Sequence, residues 1–368
     1  MEIDLIESSL VNYLASNNWE YFRKDKKIVF SKKQIKGRTK KFNEGPPKYI
    51  VTYEKINSFL KDFFTKKDYS LIEPMDIVNK ESTIFVSSGV QIFTSSTNSK
   101  EFESGYIAQP VIRSQFSESK NKNQGFLSSF VNVGTEKINV VSENYVNQLD
   151  EWLSCLSELG LYAGDLTLEG EKTTDNWGSG SFSQYALRMY YRNLEISDFV
   201  FIEDINIDNN KKNICDFGLG IERLLWALNK TKNFIDSVYP GISSLEEDVD
   251  KIDAIRTATL LAASDVEVGN KDENYHLKKI LKKITSQESK YLVDLIDISY
   301  DYWSEFSNLR ISKYDTTDRI VQEINKQKNK IFDSNLGLKS PDSVLKLNTP
   351  QYFKMISSVV PTRKLENL

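Results

Sequence analysis

The apolar positions of the chain follow two rhythms. Leu5, Ile6, Leu10, Val11 and Leu14 recur at helical spacing near the start. Ile56, Phe59, Leu60 and Phe63 do so again over 52–64, with Thr52 placed to cap that helix. Leu149, Trp152, Leu153, Leu156 and Leu159 predict another amphipathic helix, closed by Gly160. Between these lie short strand-like runs at 70–72, 84–87, 106–108 and 130–133, and another at 196–202. From 241 onward the pattern is helical. Ile255, Ala258, Thr259 and Ala262 share one face, and Leu277, Ile280, Leu281 and Ile284 share another. Residues 291–302 read as an aromatic-rich core helix, and Ile320, Ile324 and Ile331 mark a late one. Strands mixed with helices, then helices alone, give an α+β architecture followed by an α-helical part.

The densest cluster of candidate chemistry is Cys215-Asp-Phe-Gly-Leu-Gly-Ile-Glu-Arg-Leu-Leu-Trp-Ala-Leu228. It reads as a strand end, a glycine turn and a helix. Ile221, Leu224, Leu225 and Leu228 form the buried face, and Arg223 projects from the opposite side. Gly218 and Gly220 are expected to let the backbone turn tightly and a ligand approach. A helix N-terminus favours an anion through its free N–H groups and its dipole. The dinucleotide fingerprint GxGxxG would require glycine where Arg223 stands. Taken alone, the stretch also fits a plain corner with a surface arginine.

Composition narrows the class. The chain has 368 residues, room for two domains, and 39% hydrophobic content, enough for a real core. Its net charge of -4 confines any polyanion site to a local patch. One such patch is 21–41, where ten Lys/Arg face a single acid, Asp25, with Tyr21, Phe22 and Phe30 interleaved. Basic and aromatic residues together suit nucleic acid, and a solvated hairpin is the other reading. A second patch is the stripe Lys278, Lys279, Lys282 and Lys283. No apolar run approaches the ~18 residues of a membrane span, and the N-terminus lacks a signal-peptide pattern. Cys155 and Cys215 are expected as buried thiols, and two Cys with one His do not make a Cys/His zinc site. A cytoplasmic protein without a metal site of its own is expected.

Asp216-x-Gly-x-Gly-x-Glu-Arg-Leu224 resembles the third signature motif of class II aminoacyl-tRNA synthetases in its alanyl-tRNA synthetase form, archaeal branch. Trp226 and Tyr239-Pro240 fit that branch. Gln109-Pro-Val-Ile-Arg113 resembles the start of the second motif, and the helix at 52–64 with the strand after it resembles the first. The return strand carries Phe130-Val131-Asn132 where the family has Phe-Glu-Met. Trp177 and Leu194-Glu195 match the family's pocket blocks, with Val200 at an amino-acid contact. Phe182, Ser183 and Gln184 replace small pocket residues there, and Arg188 replaces an acid, which argues against plain alanine. The segment 256–284, with Asn270 and the lysine stripe, resembles the helical acceptor-stem-reading domain.

The resemblance implies an antiparallel sheet flanked by helices, then a helical domain. It divides the chain into a basic N-terminal extension (1–48), a catalytic domain (49–240) and a helical tRNA-recognition-like domain (241–368). The chain stops where the family's editing and oligomerisation domains would begin. The implied function is ATP-dependent formation of an aminoacyl adenylate and transfer of the acyl group to tRNA. A biosynthetic ligase acylating a small molecule or carrier protein is one alternative. A catalytically inactive paralogue binding RNA or a protein partner is the other. By the resemblance, Arg113 and Arg223 are catalytic and hold ATP, with Gly220 beside the nucleotide. Asp216 pairs with the α-ammonium, and Trp177, Val200 and Gly218 line the amino-acid pocket. Asn270, Lys278, Lys279, Lys282 and Lys283 are the RNA-binding candidates, and magnesium accompanies ATP. The sequence leaves the amino acid and the oligomeric state open and is compatible with a monomer.

Overall fold

The computed structural model describes residues 2–32, 51–79, 83–94, 103–113, 122–177, 180–207, 210–245, 247–285 and 290–335. Helix α1 (Glu2–Ser16) leads into a hairpin of β1 (Trp19–Lys24) and β2 (Lys27–Lys32). Then come α2 (Tyr53–Thr65), β3 (Ser70–Ile72), a single turn α3 (Gln91–Thr94), β4 (Ser104–Ile112), β5 (Ser129–Ile138) and α4 (Ser142–Glu158). Four long strands follow: β6 (Leu166–Trp177), β7 (Gly180–Tyr191), β8 (Leu194–Ile207) and β9 (Asn210–Gly220). The chain continues as α5 (Ile221–Asn229), α6 (Ile235–Val238), α7 (Val249–Ala263), α8 (Asp272–Thr285), α9 (Leu292–Ser304) and α10 (Lys313–Asn335).

The described strands form one nine-stranded sheet in the order β1-β2-β6-β7-β8-β9-β5-β4-β3. Every pairing is antiparallel except β3 with β4. The architecture is α+β, as expected. The hairpin falls in the segment expected as an N-terminal extension, yet it supplies the sheet's outermost strands, with Phe30 facing Leu168 across β2 and β6. The rest of the basic tract, from 33, lies outside the described residues.

Period-two alternation separates the two faces of the sheet. Val131, Val133 and Thr135 of β5, Phe199 and Phe201 of β8, and Cys215, Phe217 and Leu219 of β9 turn to one side and are buried. There α4 seals the core. Trp152 Nε1 donates to Thr135 Oγ1 at 2.7 Å, Tyr145 Oη donates to the Phe199 carbonyl at 3.0 Å, and the Phe199 and Phe217 rings stack at 4.3 Å. Both cysteines are buried free thiols. The intervening residues, Asn132, Gly134, Glu136, Asp198, Val200, Asp216 and Gly218, belong to the opposite face.

The helix predictions at 52–64 and 149–159 hold, and Gly160 follows α4 with φ +96°. Thr52 occupies the N-cap position but makes no side-chain cap hydrogen bond. The strand expected at 84–87 is not formed. Its one β-type pairing is an isolated bridge between Val78 and Phe85. The segment instead turns back on itself, with Gln91 Oε1 accepting from the Ser87 and Ser88 amides at 2.6 and 3.1 Å. The glycines of 215–220 also differ from expectation. Gly220 has φ −82° and ends a regular strand, so no left-handed turn is made. Gly218 is required by space: a Cβ there would stand 2.9 Å from Asn132 Nδ2.

Helices α7 to α10 pack as a layer joined to the sheet through α5. The joint is a buried ion pair, Glu222 of α5 with Arg256 of α7, 2% and 0% exposed. Glu222 also accepts from the Tyr302 hydroxyl at 2.7 Å and from the Val131 amide at 3.1 Å. Arg256 donates to Tyr239 Oη at 2.7 Å and lies 4.1 Å from the Tyr302 ring centroid and 4.2 Å from that of Trp303. Removing one partner strands a buried charge, which costs about 3–5 kcal/mol. Arg256→Ala should lower the free energy of urea unfolding, followed by far-ultraviolet circular dichroism, by that amount. A loss under ~1 kcal/mol would show that the pair is dispensable.

Candidate active site

The polar face of the sheet opens on a cavity of about 690 Å³. Arg113, Phe130, Asn132, Asp198, Asp216 and Arg223 all line it. The two arginines come from different places in the chain. Arg113 follows β4 and is anchored by its amide on the Ser128 carbonyl at 2.8 Å. Its Nε donates to the Ser87 carbonyl at 3.1 Å, and its guanidinium lies 5.1 Å from the Phe130 ring centroid. Arg223 sits in the first turn of α5, one residue after Glu222. Its Nε donates to the Gly125 carbonyl and its Nη1 to the Glu195 carbonyl, each at 3.1 Å. The Phe126 ring centroid is 4.1 Å from its guanidinium. Arg223 is therefore not on an outer helix face: its side chain is 15% exposed and aimed over the sheet. Gly125 has φ +88°, and a Cβ there would meet Arg223 Cγ at 3.1 Å, so both conformation and space call for glycine.

Burial in the cavity wall pushes both guanidinium pKa values down. For Arg113, Asp216 pulls upward and the Arg223 charge pushes further down. For Arg223, Glu195 opposes the shift. Two cations beside an open cavity, with the charge of Arg223 disfavouring that of Arg113, form a ready receptor for an anion.

The acids lie toward the other end of the sheet face. Asp216 of β9 faces Val200 of β8 on one side and Glu136 of β5 on the other. Burial and the neighbouring Asp198 push its pKa up to about 7, against the pull of Arg113. Asp198 is raised chiefly by the surrounding protein, with Arg188 opposing and Glu195 adding to the shift. Neither Asp198 nor Asp216 has a hydrogen-bond or ion-pair partner among the described residues. Val90, Val200, Ile202 and Phe182 form an apolar patch beside them. Gly218, Gly220 and Val200 border the cavity. Trp177 ends β6, but its side chain lies outside the described residues, as do residues 114–121 of the loop after Arg113.

In the lysine stripe of α8, Lys278 donates to Asn270 at 2.6 Å and Lys283 pairs with Asp250 at 2.5 Å; Lys279 and Lys282 have solvent-exposed side chains. His276 of the same helix reaches the cavity mouth, edge-on to Phe85 at 5.4 Å. Burial and Lys279 lower its pKa. The candidate list drawn from sequence lacked Asp198, Glu136, Phe126 and the Glu222–Arg256 pair. The i, i+2 spacing of Asp198 and Val200, which puts both on one face of β8, was the available signal for Asp198.

The sequence is similar to the alanine–tRNA ligase of Methanobrevibacter smithii, 23% identical over 221 residues, covering 56% of this chain and 24% of that protein. It is similar to that of Thermoplasma acidophilum at 24% over 228 residues, covering 54% and 25%. The chain thus spans about a quarter of the length of the curated relatives it matches. No protein-family model matches the chain. Among solved structures, Desulfitobacterium hafniense PylSc, a pyrrolysyl-tRNA synthetase, aligns at 12% identity and TM-score 0.37, over 53% of this chain and 72% of that one. The largely antiparallel sheet flanked by helices agrees with the alanyl-tRNA synthetase-like, class II fold that the resemblance implies, and the segments that carry the resemblance lie on β4, β5, β9 and α5.

The raised pKa of Asp216 carries a stability signature. Its folded value of about 7 exceeds the ordinary 3.8, so the folded state holds the proton more tightly. That contribution is complete below the unfolded value and is lost as pH rises through the folded one. Asp216→Asn removes it. The variant should melt about 2–4 °C above the parent at pH 8, with the gap closing toward pH 5. Equal melting temperatures at pH 8 would contradict the assignment.

Proposed function

We propose that the cavity activates an amino acid with ATP, forming an aminoacyl adenylate and pyrophosphate, and that the acyl group passes to tRNA. The observation that supports this most is the meeting of Arg113, Arg223 and Asp216 at one cavity on the sheet. The reaction joins two anions, a carboxylate and a phosphate. A carboxylate is already a nucleophile, so the first step needs position and charge neutralisation rather than a base. Arg113 holds the attacking carboxylate against the α-phosphate. Arg223 holds the nucleotide at adenine or the γ-phosphate. Asp216 takes the α-ammonium, and Val200 walls the pocket. Magnesium, when bound with the nucleotide, would neutralise phosphate charge. Glu195, next to Arg223, is the carboxylate that would meet the ion.

The acceptor end rests on α8. Lys279 and Lys282 lie exposed on it, on the helix whose His276 reaches the cavity mouth. Asn270, Lys278 and Lys283 flank them. A phosphate backbone docked there would run beside the opening.

Amino-acid-dependent ATP–pyrophosphate exchange, screened over the amino acids, tests the first step. Arg113→Ala should lower its kcat/KM by about 10²–10³-fold, the loss that follows removal of one preorganised charge donor. Exchange with no amino acid would favour an inactive paralogue. Acylation of total tRNA tests the second step. Changing Lys279 and Lys282 together to Ala should leave exchange intact and weaken tRNA binding. It should also reduce the salt slope of log K by roughly 1–2. Exchange without tRNA acylation would point to a small-molecule or carrier-protein acceptor.

A further inference from the structure

The floor of the cavity changes character along the strands. At the arginine end Glu195 and Asp198 of β8 border it. Val200 comes next, directly opposite Asp216 of β9. The following cavity-facing pair is Ile202 with Ile214, and β5 adds Ile138 to the same row. The row beyond Asp216 is therefore apolar on three adjacent strands. On β7 it continues with Gln184, whose Nε2 donates to Thr173 Oγ1 of β6 at 3.0 Å. The turn before α3 supplies a further wall. Its Ser87 carbonyl accepts from Arg113, its Gly89 amide donates to Asn132 Oδ1 at 2.9 Å, and its Val90 packs in one cluster with Ile202 and Ile214. Phe182 and Val200 pack against that cluster. Val90, Phe182, Val200 and Ile202 all line the cavity, and Val90 and Ile202 are each 4% exposed.

We propose that the amino acid taken by this cavity carries an apolar side chain longer than a methyl group, and that Val90, Phe182, Val200 and Ile202 receive it. The inference rests on the amino-acid-activating reading and names the substrate class for it. With its ammonium on Asp216 and its carboxylate turned to Arg113, an amino acid has one group left to place. The arginine end belongs to the nucleotide, so the side chain runs the other way along β8, from Val200 toward Ile202. These two residues face the cavity from one strand and lie two positions apart, a span of about 7 Å. A methyl group would touch the first and leave Ile202 and Val90 without a ligand contact. A longer apolar chain covers the whole wall and removes its surface from water. A charged or hydrogen-bonding terminus would give up its own water against aliphatic and aromatic side chains that cannot pair with it. Gln184, the polar member of the row, already gives its amide to β6.

The test is isothermal titration calorimetry of the full chain with a graded series, run beside pyrophosphate exchange. The apolar series is alanine, 2-aminobutyrate, norvaline, norleucine, leucine and phenylalanine. The polar counterparts are serine, glutamine and lysine. Affinity should rise from alanine by roughly fourfold per added methylene, the value of a buried CH₂, until the wall is covered. The best apolar member should bind at least tenfold more tightly than alanine and than every polar counterpart. Val90→Thr keeps the shape and puts a hydroxyl into the wall. It should cut the advantage over alanine at least threefold while the far-ultraviolet spectrum is unchanged, and an advantage it leaves untouched would overturn the assignment of the wall. If Val90→Thr does not fold, the series on the unaltered protein still decides. Alanine binding as tightly as the longer members, a polar counterpart binding more tightly than all of them, or no binding by any would overturn the proposal. Exchange supported by alanine alone would overturn it and leave the activation reading standing. Binding of the longer apolar members without exchange would uphold it and remove the activation reading.

Discussion

The buried contact between Glu222 and Arg256 sets the position of everything above the sheet. It fixes α5 against α7, and α5 carries Arg223 at the very next residue. Adjacent helix residues point about 100° apart, so one turn serves both needs. Glu222 faces inward to its ion pair, and Arg223 swings out over β8 to the Glu195 carbonyl. An ion pair of this depth gives little net stability, because desolvating both charges offsets their attraction. What it supplies is geometry. Glu222 accepts from the Val131 amide of β5, and Arg256 donates to the Ser129 carbonyl of the same strand. An apolar pair of equal volume would fill the space without fixing the register of α5 on that strand. The aromatic faces of Tyr302 and Trp303 complete the setting around the guanidinium.

Above that joint the charges are sorted by distance along the sheet. Arginines gather where β4 and β9 end, next to the start of α5. Carboxyls gather along the middle of β5, β8 and β9. Each set raises the cost of its own ionisation, and each eases that of the other through Arg113 and Asp216. Such an arrangement is poor for the empty protein and favourable for a ligand that brings anionic groups at one end and a cation at the other. The polarity of the cavity therefore runs from cationic at the arginine end to anionic along the middle strands.

The sequence revealed what depends on local pattern. The helices at 52–64 and 149–159 stand out because their apolar stripes are long and unbroken. Asp216, Gly218, Gly220 and Arg223 stand out because a strand end and a helix start bring them within eight residues. The strand expected at 84–87 failed for a physical reason. Its apolar residues are Ile84, Phe85 and Val86, but the polar side chain of Gln91 captures the backbone that follows and turns it. Glu136 and Asp198 were hidden because their meaning comes from register. Glu136 matters only through its alignment with Asp216 on a strand distant in sequence, and nothing in residues 129–138 announces that pairing. Gly218 was read as a turn residue, whereas its need for glycine comes from Asn132 on the neighbouring strand.

One more set of contacts shows why the helical layer cannot be treated as a passenger. Lys122, on the segment between Arg113 and β5, is buried and pairs with Asp253 at 2.6 Å and with Asp250 at 2.7 Å. Asp253 also accepts from the Ser128 amide at 2.8 Å and from its hydroxyl at 2.6 Å. Asp250 in turn pairs with Lys283 of α8. The return to β5, α7 and α8 are thus held by one chain of alternating charges. Lys122 has little access to water, so moving α7 away would leave its ammonium buried without a carboxylate, a costly state. The half-buried Asp250–Lys283 link is weaker by itself. Its place at the end of the chain nevertheless ties the orientation of α8 to the strand that carries Phe130 and Asn132. The lysine face of α8 and the arginine end of the cavity are therefore linked through one chain of charges, and a shift in either must be absorbed by the other.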